Sequence, residues 1–209
     1  MKPTPSTPPS RKDEYNYLPE GLPIPEDDGA CNHLLGMELP SVELLSTSGE
    51  LVDPSKATSK YVVIFCYPMT GSPTNKLLWD NEEEWNAIPG ACGCTSQACS
   101  FRDTISLFKD LDATVFGLSN NSPDYQKEAA DRLELEYELL SDEQMKFAAA
   151  LKLPTFQFHD LTLLKRVTLI AQNNKIVKVF YPIFPPNTDA GKVLAWLGKE
   201  VKSDAVGKA

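Results

Sequence analysis

The sequence lacks most of the features that are typical of proteins that bind nucleotides, metals, nucleic acids or membranes. It has two histidines, and neither stands in a motif that suggests base catalysis. It has no glycine-rich phosphate-binding pattern, so no cofactor is expected. A net charge of -9 without any Lys/Arg block argues against binding to nucleic acid or to an anionic membrane. No apolar run approaches the roughly 18 residues of a membrane span, and 1–12 has no apolar stretch of the signal-peptide kind. Together these absences predict a cytoplasmic protein.

The composition predicts one ordinary domain with flexible ends. The chain has 209 residues, of which 42% are hydrophobic, enough to build a core. Seven prolines fall before position 29, together with many charges, so 1–30 is expected to be a proline-rich flexible tail. The domain is expected over 31–200, and a short C-terminal tail over 201–209.

Three of the five cysteines fall between positions 92 and 99. In a reducing compartment, an odd and crowded set of cysteines points to catalysis rather than to a structural disulfide framework. From Cys94 onward apolar residues recur at steps of three and four, which predicts a helix with Cys94 at its start. Unpaired backbone N–H groups and the positive end of the helix dipole favour a thiolate there. Cys94 is therefore the candidate nucleophile.

The run Cys-Thr-x-Gln-Ala-Cys-x-Phe-Arg-Asp, from Cys94 to Asp103, resembles the peroxidatic signature of the Q-type peroxiredoxins, the bacterioferritin comigratory protein group. The resemblance implies that Cys94 attacks a peroxide and that Cys99 resolves the resulting sulfenic acid. It implies a thiol peroxidase that reduces hydrogen peroxide or organic hydroperoxides. A thioredoxin-like or glutathione-linked partner is expected to recycle the disulfide by thiol exchange. Either a monomer or a homodimer is compatible with this interpretation.

The predicted elements form an α/β fold. A continuous β-branched and aromatic run at 61–67 predicts a central strand, with a second buried strand at 113–119. A helix is predicted from Pro123, with Ser122 as its cap, and another over 142–151. Strands over 161–171 and 175–181 are predicted to form a hairpin that turns at 173–174, and a helix over 189–197 closes the domain. This order fits a thioredoxin-like sandwich with a central mixed sheet and flanking helices, which the family resemblance also implies.

Residues 69–90 stand out as an insert. In the family, a Tyr-Pro pair such as Tyr67-Pro68 is normally followed within about seven residues by the reactive cysteine, whereas here Cys94 comes much later. The insert carries Trp79 and Trp85, which argue against disorder. It is interpreted as a lid or interface loop over the site, with a surface excursion whose tryptophans pack on the body as the alternative.

Arg166 is the candidate cation of the site. It belongs to a run, 165–170, that resembles the arginine-bearing strand facing the reactive cysteine in peroxiredoxins. Arg102 is a weaker candidate, because eight helical residues separate it from Cys94 by ~12 Å along the axis.

The sequence departs from the family at two positions. Ala91 stands where the family has a threonine whose hydroxyl orients thiolate and peroxide, and Thr70 or Thr95 would have to substitute for it. Cys92 is either a second resolving thiol or a bystander. Cys66 is either a buried structural thiol or a partner of the Cys94 region.

Two other functions stay open on the sequence alone. A thiol-disulfide oxidoreductase would use Cys92 and Cys94. A redox sensor or binding protein would signal through the tryptophan-bearing insert. Zinc binding by the three clustered thiols is the least favoured, because they lack the usual paired spacing of zinc ligands.

Overall fold

The computed structural model describes residues 18–72 and 75–206, apart from the side chains of 204–206. Nine strands are found within these ranges: β1 Leu44–Ser46, β2 Leu51–Val52, β3 Tyr61–Cys66, β4 Ala113–Ser119, β5 Glu138–Ser141, β6 Thr155–Phe158, β7 Leu161–Leu164, β8 Val167–Gln172 and β9 Lys175–Phe180. The seven α-helices of these ranges are α1 Lys76–Asp80, α2 Glu82–Ala87, α3 Cys94–Asp103, α4 Ile105–Asp110, α5 Pro123–Leu133, α6 Lys146–Leu151 and α7 Asp189–Val206.

Seven strands form one mixed sheet in the order β2-β1-β5-β4-β3-β8-β9. Strand β3 lies parallel to β4 and antiparallel to β8, and all six of its residues are buried. This confirms the predicted central strand and the α/β fold with its mixed sheet. The remaining strands, β6 and β7, form a separate antiparallel hairpin.

Alternate residues of β3 divide the core into two layers, because side chains of a strand point to opposite faces. Val62, Ile64 and Cys66 pack on the face that carries α6 and the loop around Cys31. Tyr61, Val63 and Phe65 pack on the other face, which carries α3, α4 and α7. Cys66 therefore lies on the face opposite Cys94, and it belongs to the core rather than to the reactive site.

Several local predictions agree with the structure. Ser122 caps α5 by accepting a hydrogen bond from the backbone N–H of Tyr125, and Pro123 occupies the first helical turn. Strands β8 and β9 form the predicted hairpin around 173–174. The predicted helix over 142–151 begins later, at Lys146, and the carboxylate of Asp142 accepts hydrogen bonds from the N–H groups of Phe147 and Ala148 in its first turn.

Two boundaries differ from the prediction. The expected strand over 161–171 is interrupted at 165–166, so that β7 pairs with β6 while β8 pairs with β3. Helix α7 continues to Val206, where a tail was expected from residue 201.

Residues 18–30, the described part of the predicted N-terminal tail, lie along the body of the domain. Asp28 forms an ion pair with Lys165 at 2.7 Å and accepts a hydrogen bond from the Tyr181 hydroxyl at 2.8 Å. These contacts fix the end of the segment beside the junction of β7 and β8, which contains Arg166. The prediction for 1–17 lies outside the described residues.

Candidate active site

Cys94 is the first residue of α3 and lies at the inner end of a cavity. Gly93 precedes it in a left-handed conformation, with φ of 97°, which a residue without a side chain adopts at low cost. The carbonyl of Gly93 accepts from the N–H of Gln97, which closes the first helical turn. The N–H groups of that turn have no carbonyl partner within the helix, so they add positive potential around the sulfur.

Arg166 reaches Cys94 from the sheet. One guanidinium nitrogen, Nη2, lies 3.2 Å from Cys94 Sγ, and it is also 3.2 Å from the carbonyl oxygens of Ala91 and Cys92. Arg166 is only 3% exposed, and Cys94 likewise. A guanidinium N–H makes a stronger hydrogen bond to a thiolate than to a thiol because the pair is charge-assisted. The arrangement therefore places a charged donor directly against the sulfur.

A buried polar chain holds Arg166 in place. Its Nη1 donates to Oε1 of Gln97, and the amide nitrogen of Gln97 donates to Asp189 Oδ2 at 2.7 Å. The hydroxyl of Thr168 donates to the same carboxylate oxygen at 2.7 Å. Burial raises the pKa of Asp189, while the hydrogen bonds from Thr168 and Gln97 and the charge of Arg166 oppose that effect.

The sequence analysis did not assign a role to Gln97, Thr168 or Asp189. Gln97 is part of the motif from which the resemblance was drawn, and Thr168, in β8, lies two residues beyond Arg166. Asp189 comes 92 residues after Gln97, and nothing in the local sequence pairs them. These hydrogen bonds from Arg166 through Gln97 to Asp189 are seen only in the folded structure.

Cys99 lies on α3, one and a half turns after Cys94, and is completely buried. It packs with Ala98 and Leu133, away from the cavity. Burial raises the pKa of its thiol, a shift that the charge of Arg102 partly opposes. Since α3 is continuous between the two cysteines, their Cα atoms are ~8.5 Å apart by helical geometry, beyond the ~7 Å limit for a disulfide.

Cys92 and Ala91 lie in the loop before α3. Cys92 is half-buried, lines the same cavity as Cys94, and has a pKa raised to about 11 by burial and by the charge of Cys94. Ala91 is fully buried and packs among apolar side chains of the insert. Thr70 is 1% exposed, and its hydroxyl has no hydrogen-bond partner among the described residues.

Arg102 points away from the site. It donates to the carbonyl of Leu133 at 2.7 Å and pairs with Asp103 at 2.9 Å. These contacts tie α3 to the end of α5, as expected for a structural arginine.

The insert forms one wall of the cavity. Its two short helices, α1 and α2, place Leu78, Trp79 and Trp85 along a space of about 480 Å³ that reaches Cys94. Trp85 packs edge-on against Phe158 with ring centroids 4.9 Å apart. Trp79 lies at the mouth and is 58% exposed.

No group of three or more metal-ligating side chains with the right spacing occurs among residues 18–72 and 75–206. Within the same ranges no helix is both long and apolar enough to cross a membrane. All five cysteines are free thiols in the structure.

Comparisons with known proteins agree with this geometry. The redoxin family model matches residues 34–194. The chain is 30% identical to a chloroplastic peroxiredoxin Q of Populus jackii over 165 residues, which is 77% of this chain and 68% of that protein. It is 31% identical to peroxiredoxin Bcp of Bacillus subtilis over 116 residues, 56% of this chain and 62% of that protein. The chain thus spans roughly two thirds of these relatives.

Solved structures share the fold. Peroxidoxin BcpB of Mycobacterium tuberculosis superposes with a TM-score of 0.63 at 26% identity, covering 79% of this chain and 96% of that one. A PrxQ of Xylella fastidiosa, 17% identical, superposes with a TM-score of 0.63 and covers 80% of this chain and 96% of that one, which supports the fold alone. The thioredoxin-like architecture is thereby confirmed. Given this family match and these relatives, the chain belongs to the redoxin family, in its peroxiredoxin Q branch, whose activity is the thiol-dependent reduction of peroxides.

Proposed function

We propose that this chain is a thiol-dependent peroxidase in which Cys94 is the nucleophile. The observation that supports this most is the 3.2 Å contact between Arg166 Nη2 and Cys94 Sγ at the inner end of the cavity. The thiolate attacks the terminal oxygen of a hydroperoxide, and the O–O bond breaks as the S–O bond forms. The departing alkoxide or hydroxide takes up a proton and leaves as an alcohol or water, and Cys94 becomes a sulfenic acid.

Arg166 and the first turn of α3 are proposed to stabilise the transition state. Negative charge spreads from the sulfur to both peroxide oxygens as the O–O bond lengthens. Donors that are already oriented by the fold stabilise such charge without reorganisation. The chain from Arg166 through Gln97 to Asp189 supplies that orientation for the guanidinium.

Cys99 is the proposed resolving thiol, and it must leave its buried position to act. In the intact helix it is too far from Cys94, and burial raises its pKa. Opening the first turns of α3 shortens the gap and hydrates the thiol, which lowers its pKa toward the ordinary value. Its sulfur then attacks the sulfenic acid, water leaves, and a Cys94–Cys99 disulfide forms.

Cys92 is less suited to this role in the folded state. Its pKa is raised to about 11, first by burial and then by the neighbouring Cys94 charge, so its thiolate is scarce at neutral pH. The same shift weakens a thiol-disulfide oxidoreductase built on Cys92 and Cys94. Cys92 is accordingly assigned to the cavity wall.

The proposed reductant is a thioredoxin-like or glutathione-linked thiol, which would open the Cys94–Cys99 disulfide by exchange. A cytoplasmic location fits five free cysteines, because a reducing compartment keeps thiols reduced. A monomer or a homodimer would each serve, since Cys94, Cys99 and Arg166 come from one chain.

Steady-state peroxide consumption with dithiothreitol as reductant tests the proposal. The wild type should turn over hydrogen peroxide or an organic hydroperoxide, and Cys94→Ser should be inactive. Cys66→Ser is the matched control, because that thiol is buried on the opposite face of the sheet. Equal turnover by wild type and Cys94→Ser, or no turnover of any peroxide by the wild type, would refute the proposed function.

A further inference from the structure

The cavity beside Cys94 is much larger than hydrogen peroxide requires. Its volume of about 480 Å³ falls within the range of sites that enclose organic ligands. The side chains that give it this size belong to the insert or to its edges: Met69, Leu78, Trp79 and Trp85. The substrate preference of the site therefore depends on a segment that the family pattern does not include.

The wall is mostly apolar, and Ala91, which stands where the family places a hydroxyl, is buried against it. Ala91 packs in one cluster with Met69, Leu78 and Trp85. That cluster offers no hydrogen bond to a small polar peroxide, but it can remove apolar surface of a ligand from water. Each 60 Å² of apolar surface so buried contributes about 1.5 kcal/mol, roughly tenfold in affinity.

The wall is held in place by specific contacts rather than left as a loose loop. Asn75 caps α1 by accepting from the N–H of Leu78, and its amide donates to the Tyr125 hydroxyl at 3.0 Å. Trp85 packs against the β6–β7 hairpin through Phe158. The indole N–H of Trp79 donates to the carbonyl of Ser72 at 2.8 Å, which sets the ring at the cavity mouth.

The cavity also has a direction. Cys94 is 3% exposed and has the guanidinium of Arg166 beside its sulfur, whereas Trp79, on the same cavity, is 58% exposed and stands at the mouth. A ligand with one polar end and a compact apolar body fits this polarity. The hydroperoxide group meets the sulfur while the body lies against Leu78 and Trp79.

We propose that the insert forms a binding site for the organic part of compact apolar hydroperoxides, of the arylalkyl kind, and makes them better substrates than hydrogen peroxide. This rests on the proposed peroxidase function and adds its substrate class. The reaction stays balanced: the thiolate takes the terminal oxygen, the O–O bond breaks, and the alkoxide leaves through the cavity as the alcohol after taking up a proton.

The test compares kcat/KM for cumene hydroperoxide and hydrogen peroxide in the wild type, Trp79→Ala and Leu78→Ala. Trp79 is largely exposed, so its removal should leave the fold intact. Each variant should lose about tenfold with cumene hydroperoxide and less than twofold with hydrogen peroxide. Leu107→Ala, which removes an exposed leucine of α4 outside the cavity, should change neither value.

A binding measurement separates the proposal from catalysis. The alcohol product, 2-phenyl-2-propanol, should quench tryptophan fluorescence of Cys94→Ser saturably, and the affinity should fall about tenfold in the double variant with Leu78→Ala. A wild type that reduces both peroxides with a ratio unchanged by either cavity variant, or that shows no saturable quenching, would overturn the substrate assignment and leave the peroxidase function standing. A wild type that reduces no peroxide would overturn both.

Discussion

Replacement of Arg166 is predicted to slow the first step of the reaction far more than it alters the fold. The guanidinium meets Cys94 Sγ at 3.2 Å and Gln97 Oε1 at the same time. Removing one preorganised donor from a buried site costs roughly 10²- to 10³-fold in rate, about 3–4 kcal/mol of transition-state stabilisation. Arg166→Met loses both the charge and the donor, so a loss of at least that size is expected.

Arg166→Lys separates charge from geometry. A lysine ammonium keeps the positive charge but lacks the planar fork that holds sulfur and amide together. We expect a loss between tenfold and 100-fold, smaller than that of the methionine variant. A lysine variant as slow as Arg166→Met would show that the oriented fork, rather than the charge, carries the effect.

The assay is the pre-steady-state rate of Cys94 sulfenic acid formation after mixing with hydrogen peroxide, followed by rapid quenching and mass spectrometry. Urea unfolding of each variant reports the cost of leaving the carbonyls of Gln97, Ala91 and Cys92 without this donor, about 1–3 kcal/mol for each buried carbonyl left unpaired. Arg102→Lys is the matched control, because Arg102 contacts Leu133 and Asp103 instead of the site, and its rate should stay within threefold of wild type. A folded Arg166→Met protein that reacts within threefold of wild type would refute the reasoning.

Further predictions concern the supports of the site. Asp189→Ala leaves two buried donors, the Gln97 amide and the Thr168 hydroxyl, without an acceptor. It should therefore lower the free energy of unfolding by about 3–5 kcal/mol and slow Cys94 oxidation, and Asp189→Asn should have a smaller effect on both. A free energy of unfolding and an oxidation rate within error of wild type would contradict this. Gly93→Ala adds a methyl group that clashes with Pro186, at a residue with φ of 97°, and should lower Tm by several degrees. Gly36→Ala, at φ of 85° with open space around it, measures the cost of the left-handed backbone alone. Equal losses of Tm in the two variants would show that the clash with Pro186 has no effect. Hydrogen bonds from a lysine and a tyrosine lower the pKa of Asp28 to about 2, so the docking of 18–30 should persist above the ordinary value of 3.8 and be lost as pH falls toward 2. Limited proteolysis should cut Asp28→Asn faster than wild type at pH 7 and equally at pH 2, and equal rates at pH 7 would contradict the role of this pair.

The elements that build the core were predictable from local pattern. The uninterrupted β-branched and aromatic run at 61–66 favours a strand covered on both faces, and the structure places it inside the sheet. The three- and four-residue spacing after Cys94 likewise predicted a helix whose apolar face is buried, although Thr104 divides it into α3 and α4. Here the local sequence and the tertiary contacts favour the same structure.

The parts that were missed depend on contacts between distant segments. Strand β6 has little hydrophobic pattern of its own, because only Phe158 is buried, and that side chain packs against Trp85 of the distant insert. The break at Lys165 follows from strand pairing, since β7 and β8 have different partners.

The candidate site divides in the same way. Three residues were selected from the sequence through motif and resemblance: Cys94, Cys99 and Arg166. The structure places Arg166 against Cys94. It places Cys99 on the far side of the helix, away from both. The link from Gln97 to Asp189 joins residues on α3 and α7, and a buried hydrogen bond between distant residues leaves no periodic signal in the sequence.

The most direct test of the central claim is the thiol count and intact mass of the reduced protein after one equivalent of hydrogen peroxide, with peptide mapping of the disulfide. The account predicts that the wild type loses two thiols to a bond between Cys94 and Cys99, that Cys99→Ser retains a sulfenic acid on Cys94, and that Cys94→Ser does not react. A wild type that keeps all its thiols, or a disulfide that joins Cys94 to Cys92 instead, would contradict it.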